Sequence, residues 1–336
     1  MKGIHFYAGP QRNSGDFFLG PATKWEAENK LGSKVEWTYY DVRAKLDTSK
    51  VQWINATFDV MVLGGGGLLL PDTNPNDESC WQWPVSSQLI SEIKIPIYVI
   101  GLGYNLFYDQ KVTMPERNNN EYPNRESIFK QNLQTLVSQS RHFSMRHRGD
   151  IERLLEIIGE EYRTQITFEF CPVVGYMKNF YRDTMNSDGR YHAFELKDDR
   201  ANRRYVGTSQ NEVYSSLKNY IQYLLDRGEP VAVMSHDGSS SFYNFLIQHN
   251  ISVPLLDNTS MNQEEIIDNY RKVKRLYCTA GHSQMIAHAL DIEYFSLISH
   301  DKLEYFLRDV GRFEVNNYCY VRDNQLLDKL KEQYNG

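Results

Sequence analysis

Residues 276–311 read LYCTAGHSQMIAHALDIEYFSLISHDKLEYFLRDVG, and this stretch decides the fold. Residues of strand character from Arg275 to Cys278 run into the small-residue turn Thr279, Ala280 and Gly281, after which Met285, Ile286, Ala289 and Leu290 recur at helical spacing. A second strand, Tyr294 to Ile298, leads to Ser299, His300, Asp301 and Lys302, then to a helix with Leu303, Phe306 and Leu307 on one face. Two strand–turn–helix units in succession predict an open parallel sheet. In such a sheet the strand ends share one edge, and each helix N-terminus there offers free N–H groups and a partial positive charge to an anion. His282, Ser283, Gln284, His300 and Lys302 are therefore expected to converge on one ligand; the alternative is that the two histidines simply close βα turns.

Working outward, the same alternation fills the chain. With 336 residues and 41% hydrophobic content, two domains of about 150 residues each are expected. The formal net charge of −6 argues against a broad nucleic-acid surface, so an anionic ligand needs a local basic cluster. Met1, Lys2 and Gly3 lead directly into Ile4 to Tyr7 without the apolar region of a signal peptide, and no run of 18 apolar residues suggests a membrane span. Cys80, Cys171, Cys278 and Cys319 are scattered without CxxC spacing, which points to a reducing, cytoplasmic setting and to no metal site.

Ala8 to Gly20 contains Asn13, Ser14, Gly15 and Asp16 ahead of an apolar segment, with a helix expected from about Ala22 to Leu31. Asp59 to Leu63 ends in Gly64, Gly65, Gly66 and Gly67, read as a turn allowing close ligand approach. Its spacing is not GxGxxG, so NAD is not expected. Trp81 and Trp83 lie in a polar loop, where the choices are a sugar-stacking contact or the core. The strand Ile95 to Ile100 opens into Gly101 to Asn105, followed by an aperiodic excursion from Tyr108 to Arg125. A helix from Ser127 to about Ser140 precedes Ser144, Arg146, His147 and Arg148, a basic turn between strand and helix that makes a natural anion site. The domain boundary is expected across Lys178 to Arg190, giving domains over 1–180 and 190–320. In the second, Pro230 to Met234 delivers Ser235 and His236 to the same kind of edge.

The pattern x-Gly-His-x-Gln-Met-Ile, strand, Ser-x-His-Asp-Lys-x-x-x-Phe-Leu-x-Asp-x-Gly resembles the second half of the polysaccharide pyruvyl transferase family. Asn13-x-Gly15-Asp16, the glycine run ending at Leu68, Gly101-x-Gly103 and Ser144-x-Arg146 are similar to that family's other turns. The resemblance implies a GT-B-like α/β fold of two Rossmann-like domains facing across a cleft, with a last helix over 321–336 as a possible return to the first domain. It further implies a transferase that moves the enolpyruvyl group of phosphoenolpyruvate onto a sugar as a ketal, in glycan or exopolysaccharide biosynthesis. Phosphoenolpyruvate and a saccharide are then the partners, phosphoenolpyruvate is a substrate, and no cofactor is needed. His282, Arg146 and Asp16 are expected to be catalytic; Asn13, Gly15, Gly65, Gly66, Asn105, Ser144, Arg148, His236, Ser283, Gln284, His300 and Lys302 are expected to bind substrate. Ala280 departs from the family, which carries an Arg there, and Arg148 is expected to replace that cation. The rival readings are a GT-B glycosyltransferase using a nucleotide sugar, which shares the fold and the basic helix N-termini, and a silent sugar-binding relative.

Overall fold

The computed structural model describes residues 1–9, 14–70, 76–105, 107, 124–185, 189–236, 238, 241–259, 262–323 and 325–335. The expected contact at Asn13 lies outside them, as does nearly all of the excursion from Tyr108 to Arg125.

The chain forms two compact units. One comprises Met1–Pro10 and Leu19–Tyr176, the other Gln11–Phe18 and Met177–Gly336. In chain order the first part runs β1 (Lys2–Tyr7), α1 (Ser14–Leu31), β2 (Glu36–Asp41), α2 (Thr48–Thr57), β3 (Val60–Leu69), α3 (Ser87–Glu92), β4 (Ile97–Tyr104), α4 (Arg125–Gln139), β5 (Ser140–Met145), α5 (Arg148–Ile158), β6 (Thr167–Phe168) and α6 (Pro172–Phe180). The second part runs β7 (Tyr191–Glu195), α7 (Ala201–Arg204), α8 (Gln210–Leu225), β8 (Val231–Ser235), α9 (Ser241–Gln248), β9 (Leu255–Asp257), α10 (Gln263–Arg271), β10 (Val273–Cys278), α11 (Gly281–Ala289), β11 (Glu293–Ile298), α12 (Asp301–Asp309), β12 (Tyr318–Tyr320) and α13 (Leu326–Asn335).

Both sheets are six-stranded and parallel, ordered β2-β1-β3-β4-β5-β6 and β12-β11-β10-β7-β8-β9. Counted from β7, the second order is the doubly wound 3-2-1-4-5-6, whose direction reverses between β7 and β10. Several helices bury one stripe, whereas α11 is buried on nearly all sides. α8 packs Val213, Leu217, Tyr220, Ile221 and Leu224 inward, and its start is fixed by a capping box in which Ser209 and Glu212 exchange bonds.

Three expectations change. The glycines after Leu63 form no turn: β3 runs through them to Leu69, with a register shift against β4. Gly64 adopts φ +121°, open to a residue without a Cβ, and its carbonyl accepts the Nε2–H of buried His5 at 2.7 Å. Trp81 and Trp83 are core residues, 1% and 0% exposed, and the Trp81 indole donates to Asn132 Oδ1 at 2.8 Å. They take no sugar, because both faces are packed in the first core. Finally, α13 packs on α8 and sends Leu326 and Leu330 into the second core, so its place is in the second unit.

Candidate functional site

The second unit gathers polar residues at the carboxyl edge of its sheet, around the point where strand order reverses. β7 ends in Glu195, β8 in Ser235 and His236, β10 in Thr279 and Ala280, and β11 in Ser299 and His300. The start of α11 sits over β7: the Thr279 N–H donates to the Glu195 carbonyl at 3.0 Å and the Ala280 N–H to its carboxylate at 3.2 Å. Glu195 is fully buried. A carboxylate under a helix N-terminus offsets the dipole from within and fixes where the helix begins.

His282, in the first turn of α11, is 11% exposed and has its Nδ1 3.6 Å from Asp16 Oδ1. Asp16 lies in the first turn of α1, in the segment that groups with this unit. Between them stands Gly15: a Cβ there would lie 2.2 Å from the Cβ of His282. No other residue type permits so close an approach, so the glycine is what brings histidine and carboxylate together. A carboxylate beside an imidazole holds the ring and compensates the charge it gains on taking a proton.

Ser283, next in α11, is buried and stands 2.9 Å from Nδ1 of buried His236. The following helix start contributes a cation. His300 caps α12, its Nδ1 accepting the Lys302 N–H at 3.3 Å, and the Lys302 stem runs so close to Gly281 that a Cβ there would meet its Cε at 2.9 Å. Two helix N-termini, one ammonium and one imidazole thus share an edge. By geometry alone, the first four N–H groups of each helix have no partner within it.

With this geometry in hand, comparison with known proteins is informative about the fold. No protein-family model matches the sequence, and no curated protein matches it either. Among solved structures, the chain is similar to the S. aureus MnaA–UDP co-structure, with TM-score 0.58, 11% identity, and coverage of 100% of this chain and 88% of that one. It is similar to Methanocaldococcus jannaschii UDP-GlcNAc 2-epimerase in complex with UDP-GlcNAc and UDP, with TM-score 0.54, 12% identity, and coverage of 100% and 93%. Acinetobacter baumannii MurG gives TM-score 0.50, 8% identity, and coverage of 100% and 91%. The fold is GT-B-like, built of two Rossmann-like domains.

In this GT-B-like frame several expected ligand contacts have structural jobs instead. Gln284 is fully buried, its amide donating to the Leu303 carbonyl at 3.2 Å and accepting the Ser296 hydroxyl at 3.0 Å, so it ties α11 to β11 and α12. In the first unit, Ser144 accepts the Gly101 N–H at 3.0 Å and donates to the Val99 carbonyl at 3.3 Å, which satisfies β4 where its register with β5 slips. Gly65 and Gly66 receive α1: a Cβ on either would meet the Leu19 side chain, at 2.6 and 2.7 Å. Arg148, in the first unit, is exposed and lies over the Phe168 ring at 4.4 Å. No vacancy is open at Ala280. Ala280 is 1% exposed with its N–H committed to Glu195, and the cation beside this turn is Lys302 of the next helix.

Arg146 and Asn105 belong to the first unit and His282 to the second. Sequence reading missed Glu195 and Asp199. Asp199 binds Arg204 at 2.9 Å and Lys197 at 3.5 Å; burial opposes its ionisation, but Arg204, Lys197 and Lys302 outweigh that and hold the carboxyl well below the usual range. Both carried a legible signal, an acidic residue closing or directly following an apolar strand. Among the described residues no group of three or more His, Cys, Asp and Glu is placed to hold a metal, and no helix is long and apolar enough to cross a membrane.

Proposed function

We propose that the protein is a GT-B-type transferase acting on a nucleotide sugar, with the donor diphosphate held at the N-termini of α11 and α12. The observation that carries this reading is the convergence of both helix starts, Lys302 and the His282–Asp16 pair at the reversal point of the second sheet. A diphosphate carries about two negative charges, and a helix N-terminus supplies roughly half a positive charge to an anion placed there. Lys302 completes the balance as a compact, strongly charged donor. His282 is then the acid–base group at the reacting centre, and Asp16 is the carboxylate that steadies it. Support also comes from the similar structures that hold UDP, or UDP-GlcNAc and UDP. His236 and Ser283, buried as a bonded pair, brace the start of α11 from beneath.

A second reading, pyruvyl transfer from phosphoenolpyruvate, is favoured by the motif from Gly281 to Gly311 and by the same histidine, since a phosphate ester suits the same helix starts. Calorimetry separates the two. Wild-type protein is titrated with UDP-GlcNAc, GDP-mannose, a CMP-sugar and phosphoenolpyruvate. Saturable binding of one nucleotide sugar, with none of phosphoenolpyruvate, supports the first reading; the reverse order replaces it with the second.

A further inference from the structure

The first unit holds a buried guanidinium that the donor site leaves unused. Arg146 follows β5 at the carboxyl edge of the first sheet and is 2% exposed. Its backbone is fixed, since its N–H donates to the Leu102 carbonyl at 3.1 Å. Its side chain is laid over glycine. A Cβ on Gly103 would lie 2.2 Å from Nε, 2.5 Å from Cζ and 2.6 Å from Nη2, so the guanidinium lies directly against the bare backbone of β4. At Gly67 a Cβ would come within 3.1 Å of Nη2 and 2.8 Å of Asn105. Two strands have given up side chains to make room for one cation.

That cation is not neutralised by a bond at Nε. Its Nε is buried without a hydrogen-bond partner among the described residues, and so is Oδ1 of Asp150, the fully buried carboxyl in its field. Asp150 spends its other oxygen on the Tyr104 N–H at 3.1 Å. A buried donor left without a hydrogen bond is costly, and such an arrangement persists where a ligand supplies the missing acceptor.

We infer that Arg146, set between Gly67 and Gly103 beside Asn105, is a recognition site for a carboxylate such as that of an acidic saccharide. The carboxylate site does not rest on the nucleotide-sugar reading. The geometry selects a carboxylate over a phosphate. A guanidinium edge presents two parallel N–H groups that match the two coplanar oxygens of a carboxylate. Asp150, so close by, opposes a dianion.

The test uses the full chain and glucuronate as probe, with glucose as its neutral counterpart and inorganic phosphate as the other anion. Calorimetry is expected to show glucuronate binding to wild type at least tenfold more tightly than glucose. Arg146→Gln and Arg146→Lys are both expected to lose that preference, the lysine because it keeps the charge but not the paired donors. UDP-GlcNAc binding, measured on the same samples, is expected to be unchanged and also reports that the variants are folded. Should either variant not fold, the wild-type comparison of glucuronate with glucose decides alone. Equal binding of glucuronate and glucose by wild type, or a preference that survives Arg146→Gln, overturns the site. Phosphate binding as tightly as glucuronate overturns the choice of carboxylate. Failure of UDP-GlcNAc to bind while the glucuronate preference stands overturns the donor reading and leaves this site intact.

Discussion

The Cα of Gly15 is pressed against His282 so closely that a Cβ added to it would lie 2.2 Å from the Cβ and 2.3 Å from Nδ1 of the histidine. Because Asp16 is the next residue, this contact also sets the 3.6 Å separation of carboxylate and ring. Gly15→Ala is therefore expected to push the ring away from Asp16. The clash falls on the root of the side chain, which cannot swing clear. Turnover should drop by at least about tenfold, with a stability loss of about 1–3 kcal/mol typical of overpacking. Steady-state kinetics beside denaturant unfolding checks this, and wild-type kcat in the variant would refute it.

His282→Gln and Asp16→Asn divide the chemistry from binding. Loss of a positioned acid–base group costs about 10²–10⁴ in rate. The expected pattern is a fall of that size in kcat for His282→Gln, a smaller fall for Asp16→Asn, and nucleotide affinity within a few-fold of wild type for both. A matching loss of affinity would make His282 a binding residue instead.

Lys302→Ala is the complementary change. Removing a charge-assisted contact to a phosphate costs about 1.5–3 kcal/mol, or at least tenfold in Kd. The effect should appear in nucleotide binding by calorimetry and should shrink as salt rises.

The pH dependence of stability has a contribution from His5. Burial is the main cause, offset in part by the bond to the Gly64 carbonyl and helped by Lys24, and together they hold its pKa at about 3. The folded imidazole thus stays neutral where the unfolded one, with a pKa of about 6.5, takes a proton. Its stabilisation is fully present above about pH 6.5 and is lost as pH falls towards 3, with a slope of up to about 1.4 kcal/mol per unit. Gln at this position keeps an amide donor but does not titrate. Denaturant titrations of His5→Gln between pH 7 and 4 should show a flatter pH dependence than wild type, and parallel curves would contradict the assignment.

Much of the fold was legible in the sequence because burial on both faces of a parallel sheet leaves apolar runs, and the helices between them keep their period. The stretch from Leu276 to Gly311 shows this, with β10, α11, β11 and α12 near their expected places. Glycine was the weak point. Gly64 to Gly67 and Gly101 to Gly103 read as turns, yet they are strand residues, and at Gly65, Gly66 and Gly103 the missing side chain admits Leu19 and Arg146. Such a role depends on partners far along the chain, which local pattern does not carry. The same limit hid the site's details. His282 and Lys302 stood out by position, but Gln284 and Ser144 look the same in sequence as ligand contacts and prove to be internal ties. Glu195 passed unnoticed inside a strand because its partner, the Ala280 N–H, lies in another βα unit.

The edge built by His282, Asp16 and Lys302 is proposed to work on a nucleotide sugar. The most direct measurement is product release by wild type and His282→Gln, each given UDP-GlcNAc or phosphoenolpyruvate with a panel of neutral and acidic saccharide acceptors. The account predicts release of UDP by wild type and its loss, by about 10²-fold or more, in the histidine variant. Inorganic phosphate released from phosphoenolpyruvate with no release of UDP, or UDP release indifferent to His282, would contradict it.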